Sequence, residues 1–108
     1  MENEIETFYP KGRQEWREWL QINHDKKQSV WLIYYKKKSK IPTVTYSEAV
    51  DEALCFGWID SKSKPLDNEK FMQFFSKRKT NSVWSRVNKE KIERLTSEGL
   101  MTKAGLTL

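Results

Sequence analysis

The 108-residue sequence predicts an α+β fold, a small and mainly antiparallel sheet with about three helices packed on it. Three observations carry this reading. Trp16, Trp19 and Leu20 recur at helical spacing, Val30 to Tyr35 is an unbroken run of strand-forming residues, and Thr45-Tyr46-Ser47-Glu48 has the form of a helix-starting capping box.

The first helix is expected over 13–24, with Pro10 and Gly12 marking its start and its two indoles facing the core. His24, at its end, reads as a favourable C-terminal charge. Val30 to Tyr35 carries apolar residues on both alternating faces, so it reads as an interior strand covered on both sides. Lys36, Lys37, Lys38 and Lys40 then return the chain to water, and Ile41-Pro42 ends the excursion.

In the second helix, Val44 and Ala49 stand where a hydrophobic staple places them, and Gly57 is positioned to stop the helix in a left-handed conformation. Trp58-Ile59-Asp60 and Phe71 to Phe75 read as a hairpin turning through Lys64 to Asn68. The last helix is expected over 82–98, with Trp84, Val87, Ile92 and Leu95 near a 3.6-residue rhythm. It should end with Gly99 at C′ and Leu100 packing back on Leu95. Residues 1–108 form one domain in this reading, with 1–10 a flexible or loosely packed N-terminal segment and 101–108 a tail.

Composition excludes several classes of function. No stretch approaches the ~18 consecutive apolar residues of a membrane span, so no membrane insertion is expected. Fourteen aromatic residues supply enough burial to argue against disorder. A single cysteine cannot form an internal disulfide, and the acidic start lacks the features of a secretory signal, which makes a cytoplasmic address the default. One histidine and one cysteine cannot complete a structural zinc site, so neither a metal nor a cofactor is predicted.

The net charge of +5 is uneven. Residues 26–47 hold six lysines and no acid, and residues 77–91 hold six basic residues against Glu90. Lys36, Lys37, Lys38 and Lys40, with Lys77, Arg78 and Lys79, are therefore candidate anion-binding residues for phosphates, with aromatics nearby to stack on bases. The plainer reading is two solvated loops.

Catalytic chemistry finds little to work with. Asp60 is the most suggestive carboxylate, but the preferred reading is an Asp that accepts backbone or Arg hydrogen bonds to fix the strand's exit. Cys55 sits at the wrong end of a helix dipole for thiolate stabilisation and reads as a small buried residue. The four glycines form no phosphate loop.

Val44 to Ala49, the run Asp51-Glu52-Ala53-Leu54-Cys55-Phe56-Gly57-Trp58-Ile59-Asp60, and Trp84-Ser85-Arg86-Val87-Asn88 with Glu93-Arg94-Leu95 and Gly99-Leu100-Met101 resemble the bacterial YdeI/OmpD-associated family. The resemblance covers most of the chain from Trp16 onward. Phe74 and Lys77 depart from it, standing where relatives with an Arg-Phe-Thr-Pro-Arg stretch have arginine and proline, while Phe75, Arg78 and Lys79 fit. It implies a bacterial cytoplasmic protein linked to bacteriocin protection, with no established reaction and with relatives that continue into a second C-terminal region. It also implies kinship with frataxin-like sheet-and-helix domains, and hence iron handling, for which Asp51 and Glu52 are all this chain offers.

The matching residues suggest a pocket formed by Trp58, Asp60, Arg78, Trp84 and Asn88, with an Arg78 to Asp60 bridge as its structural alternative. Three functions follow in order of preference. The first is a non-catalytic binding or interaction module with a protein partner or small ligand, linked to bacteriocin or stress protection. The second is an anionic-ligand or nucleic-acid binder using the basic segments, and the third is an enzyme of unknown type.

Overall fold

The computed structural model describes residues 6–78 and 86–106. Its elements are β1 (Thr7–Phe8), α1 (Arg13–Asn23), β2 (Ser29–Tyr35), a 3-10 turn (Lys37–Ser39), α2 (Tyr46–Cys55), β3 (Trp58–Pro65), β4 (Lys70–Lys77), α3 (Arg86–Ser97) and α4 (Lys103–Leu106). The fold is α+β, as the sequence predicts. The strands form one sheet in the order β1-β2-β4-β3, with β1 parallel to β2 and the other pairs antiparallel.

Local signals place α2 as expected. The Thr45 hydroxyl accepts from the Glu48 N–H and the Glu48 carboxylate accepts from the Thr45 N–H, both at 3.2 Å. Gly57 ends the helix at φ 78°. On α3, Gly99 has φ 75°, its N–H donates to Thr96 O, and the Leu100 N–H donates to Leu95 O, completing a Schellman stop. The buried side of α3 runs through Asn88, Lys91, Ile92 and Leu95; Val87, expected on that side, is 60% exposed because it lies at the border of this stripe. Trp84 and Lys79 lie outside the described residues.

Four expectations are corrected. The N-terminal segment is packed from Glu6 onward: β1 adds an edge strand, Phe8 stacks near Trp16 and Trp19 with centroids 6.5 and 5.9 Å away, and Pro10 is buried. The described part of the tail is docked, since Thr102 donates to Cys55 O through both its N–H and its hydroxyl. The hairpin strands are longer than expected and contain a bulge, in which Ser61 and Lys62 together oppose Phe74 between the Asp60–Phe75 and Ser63–Gln73 pairs.

The fourth correction concerns β2. It is interior within the sheet, but only one of its faces is buried: Val30, Leu32 and Tyr34 point into the core while Trp31, Ile33 and Tyr35 remain half-buried. The core joins that face to Trp16, Trp19 and Leu20 of α1, to α2, and to Leu95 of α3. All three longer helices thus contribute to one side of the sheet.

Two ion-pair clusters tie the helices together. Glu52, 1% exposed, takes Arg13 and Arg17 from α1, the latter at 2.7 Å. Asp51 takes Arg94 at 2.8 Å and Lys91 at 3.4 Å from α3. Burial alone would lower the basicity of Arg13 and Arg17, and the hydrogen bonds and charge of Glu52 more than reverse it. For Arg94 the bond to Asp51 is the largest influence and raises it.

Candidate functional site

The sheet face turned away from the helices carries the most distinctive surface. Register places Trp31 opposite Phe74, Ile33 opposite Met72, and Tyr35 opposite Lys70 on this face. The Trp31 and Phe74 rings lie 5.1 Å apart, tilted by 60°. The β3 bulge matters here because it changes which side chain reaches these rings. The extra residue shifts the alternation of β3, and the Lys62 ammonium comes to lie 5.8 Å from the Trp31 centroid and 5.4 Å from that of Phe74. Lys64 pairs with Met72, and the Lys70 ammonium lies 5.7 Å from the Tyr35 ring. No described strand position on this face is a carboxylate.

Of the residues expected to form a pocket, Trp58, Asp60, Arg78 and Asn88 are described, and Trp84 is not. Trp58 is a core residue with no exposed surface; its indole donates to His24 O at 3.3 Å and meets Trp19 edge-on at 5.7 Å. It is therefore packing rather than a pocket wall. Asp60 accepts from the Tyr46 hydroxyl and the Gln73 amide, both at 3.0 Å. Tyr34 donates to the carbonyl of the same Gln73 at 2.7 Å, so the three side chains around Asp60 form one polar seam between α2 and the sheet. Arg78 is buried where β4 leaves the sheet, and its N–H donates to Gly57 O. Asn88 lies half-buried on α3.

The basic segments do not share one end of the sheet. The Lys36 N–H bonds Glu69 O beside the start of β4, whereas the Lys77 N–H bonds Gln28 O at its far end. Seven residues of antiparallel strand separate these ends, about 24 Å. That exceeds the ~8–10 Å over which exposed charges cooperate at ordinary salt. Lys36, Lys37, Lys38 and Lys40 are exposed, Lys77 is half-buried, and Arg78 is too covered to grip a phosphate in passing.

Where β2 ends, a cleft of about 290 Å³ opens between Tyr34, Phe71, Val44 and Tyr46, with Lys36 and Lys37 also lining it. Elsewhere the reactive groups are engaged structurally. Burial pushes the Cys55 thiol up. Asp51 and Glu52 are each held by two cations, which leaves them unsuited to the iron role the family resemblance implies. No cluster of three or more His, Cys, Asp or Glu suited to a metal occurs among the described residues. No described helix is long and apolar enough to cross a membrane.

The geometry defines a two-layer α+β domain with helices on one side of a four-stranded sheet and a lysine-rimmed aromatic face on the other. The chain belongs to the family described as Domain of unknown function (DUF8412), whose model matches residues 8–108. No curated protein and no solved structure matches the chain significantly.

The open face leaves little trace in the sequence. Its one available signal was the alternation of Trp31, Ile33 and Tyr35, masked by the equally apolar residues between them. The bulge that brings Lys62 across has no signal of its own, since Ser61-Lys62-Ser63 contains neither glycine nor proline.

Proposed function

We propose that this domain is a non-catalytic interaction module whose open sheet face receives an acidic, partly apolar segment of a partner protein. The observation that carries the reading is the Trp31–Phe74 pair with Lys62 over both rings. Trp, Phe and Met beside aliphatic side chains are the anchors that protein interfaces favour, and Ile33 and Met72 continue this surface along β2 and β4. Lys62, Lys64 and Lys70 select for carboxylates around those anchors. A second copy of the chain fits poorly, because face-to-face packing would oppose these lysines with their own counterparts.

Nucleic acid is the second reading, favoured by the same lysines and aromatics. It is the weaker of the two. Base stacking needs open ring faces, whereas Lys62 lies over Trp31 and Phe74, and Ile33 and Met72 offer no ring. The resemblance to the YdeI/OmpD-associated family supplies the proposed setting, bacteriocin or stress protection in a bacterial cytoplasm.

The test titrates labelled protein with a synthetic amphipathic peptide rich in Leu and Glu, and separately with a single-stranded oligonucleotide, at low and physiological salt. The peptide should shift amide resonances along β2 and β4, and Lys62→Glu should weaken it about tenfold without changing the melting temperature. No binding of the peptide would overturn the reading. Tighter, steeply salt-dependent binding of the oligonucleotide would replace it with the second.

A further inference from the structure

We propose that the cleft at the end of β2 is a separate binding site for a small planar monocarboxylate with an apolar body of one or two rings. The cleft meets the open sheet face at Tyr35, and the proposal does not rest on the function proposed for that face.

Its walls set the body of the ligand. Tyr34 and Phe71 pack on each other, with centroids 4.9 Å apart and planes at 35°, and form one joint wall, while Val44 and Tyr46 add further apolar surface to a volume of about 290 Å³. The polar groups around the cleft are already engaged within the protein. The Tyr34 hydroxyl donates to Gln73, the Tyr46 hydroxyl to Asp60, the Tyr35 N–H to Thr43 Oγ1 and the Thr43 hydroxyl to Val44 O. A sugar or other polyol would lose its water here without gaining partners, whereas a flat ring loses little.

Its rim sets the charge. Lys36 and Lys37 line the cleft, both are exposed, and neither has an ion-pair partner among the described residues. Among the described residues, no carboxylate lines the cleft. Glu48 accepts from the Thr45 N–H in the helix cap, and Asp67, which also feels the charge of Lys36, accepts from the Glu69 and Lys70 N–H groups in the hairpin turn. One carboxylate on an aromatic body therefore meets two ammonium groups while its ring enters the cleft.

Indole-3-acetate is the probe, and indole-3-ethanol its neutral counterpart. Calorimetry and assigned NMR spectra should show saturable binding of the acid, with shifts centred on Tyr34, Phe71 and Tyr46. The double variant Lys36→Ala/Lys37→Ala should weaken the acid about tenfold, leave the weaker binding of the alcohol unchanged, and keep the wild-type melting temperature because both lysines are exposed. The proposal is overturned if the wild-type protein shows no saturable binding of the acid, or if the acid binds no tighter than the alcohol. Shifts centred on Trp31 and Phe74 instead would overturn it too, because they would move the site to the open sheet face.

Discussion

Arg17 of α1 donates through Nη1 to Oε1 of Glu52 on α2 at 2.7 Å, joining residues 35 positions apart across the helix layer. The same guanidinium donates to Leu100 O at 2.9 Å and lies 5.2 Å from the Phe56 ring. One side chain thereby connects the first helix, the second helix and the turn after α3. Because Glu52 is 1% exposed, its charge depends on these partners rather than on water.

Replacing Glu52 with Ala should therefore destabilise the fold by about 2 kcal/mol. The loss falls below the 3–5 kcal/mol typical of a fully buried pair because Arg13 and Arg17 can still reach solvent. Urea unfolding should show a lower midpoint with an unchanged slope. A loss under about 0.5 kcal/mol would place the pair with exposed salt bridges instead.

Tyr34 gives a prediction at alkaline pH. Burial, and after it the charge of Asp60, raises its phenol above the ordinary value of 10.0. The folded protein then keeps a proton that the unfolded chain releases, so this contribution to stability is intact below about pH 10 and declines as pH rises toward the folded value. Tyr34→Phe should be about 1 kcal/mol less stable at neutral pH, having lost the bond to Gln73. Above about pH 10 its stability should fall less steeply than that of the wild type, by up to about 1.4 kcal/mol per pH unit. Parallel curves for the two proteins would refute the assignment. Cys55, whose thiol burial also raises, is present in both and cancels from the comparison.

Gly105 tests the docking of α4. A Cβ at this position would lie 2.4 Å from Cys55 O, against backbone that cannot step aside. Gly105→Ala should lift α4, lengthen the bonds from Thr102 to Cys55 O, and cost about 1–3 kcal/mol. Hydrogen exchange at the Thr102 amide should accelerate relative to the amides of α2. Unchanged protection there would mean that the tail is less closely held than the contact implies.

Most of the helical layer was legible in the sequence because its signals are local. Thr45 and Glu48 are three residues apart, Gly99 and Leu100 need only Leu95 and Thr96, and Trp16, Trp19 and Leu20 share a face through the helix period alone. The candidate site was much less legible. Trp58 and Asp60 stood out as neighbours in a strand, but whether a side chain lines a pocket or fills a core depends on what packs over it. Trp19 and His24 cover the indole, while Tyr46 and Gln73 take the carboxylate. The lysine segments likewise look like one reservoir of charge until antiparallel pairing places them at opposite ends of β4.

By itself, the sequence determined the α+β class, the cap of α2, the stops of α2 and α3, and the residues of α1 that enter the core, since each depends on neighbours within a few positions. Tertiary structure alone decided which face of β2 stays open, where Lys62 lies, and that Asp51 and Glu52 hold helices together instead of facing water. Those outcomes depend on pairings between distant residues: Lys62 reaches Trp31 only after a bulge shifts β3, and Glu52 is buried only because α1 brings two arginines to it. Neither arrangement has a local propensity that could announce it, because the interaction energy arises only once the chain has folded back on itself.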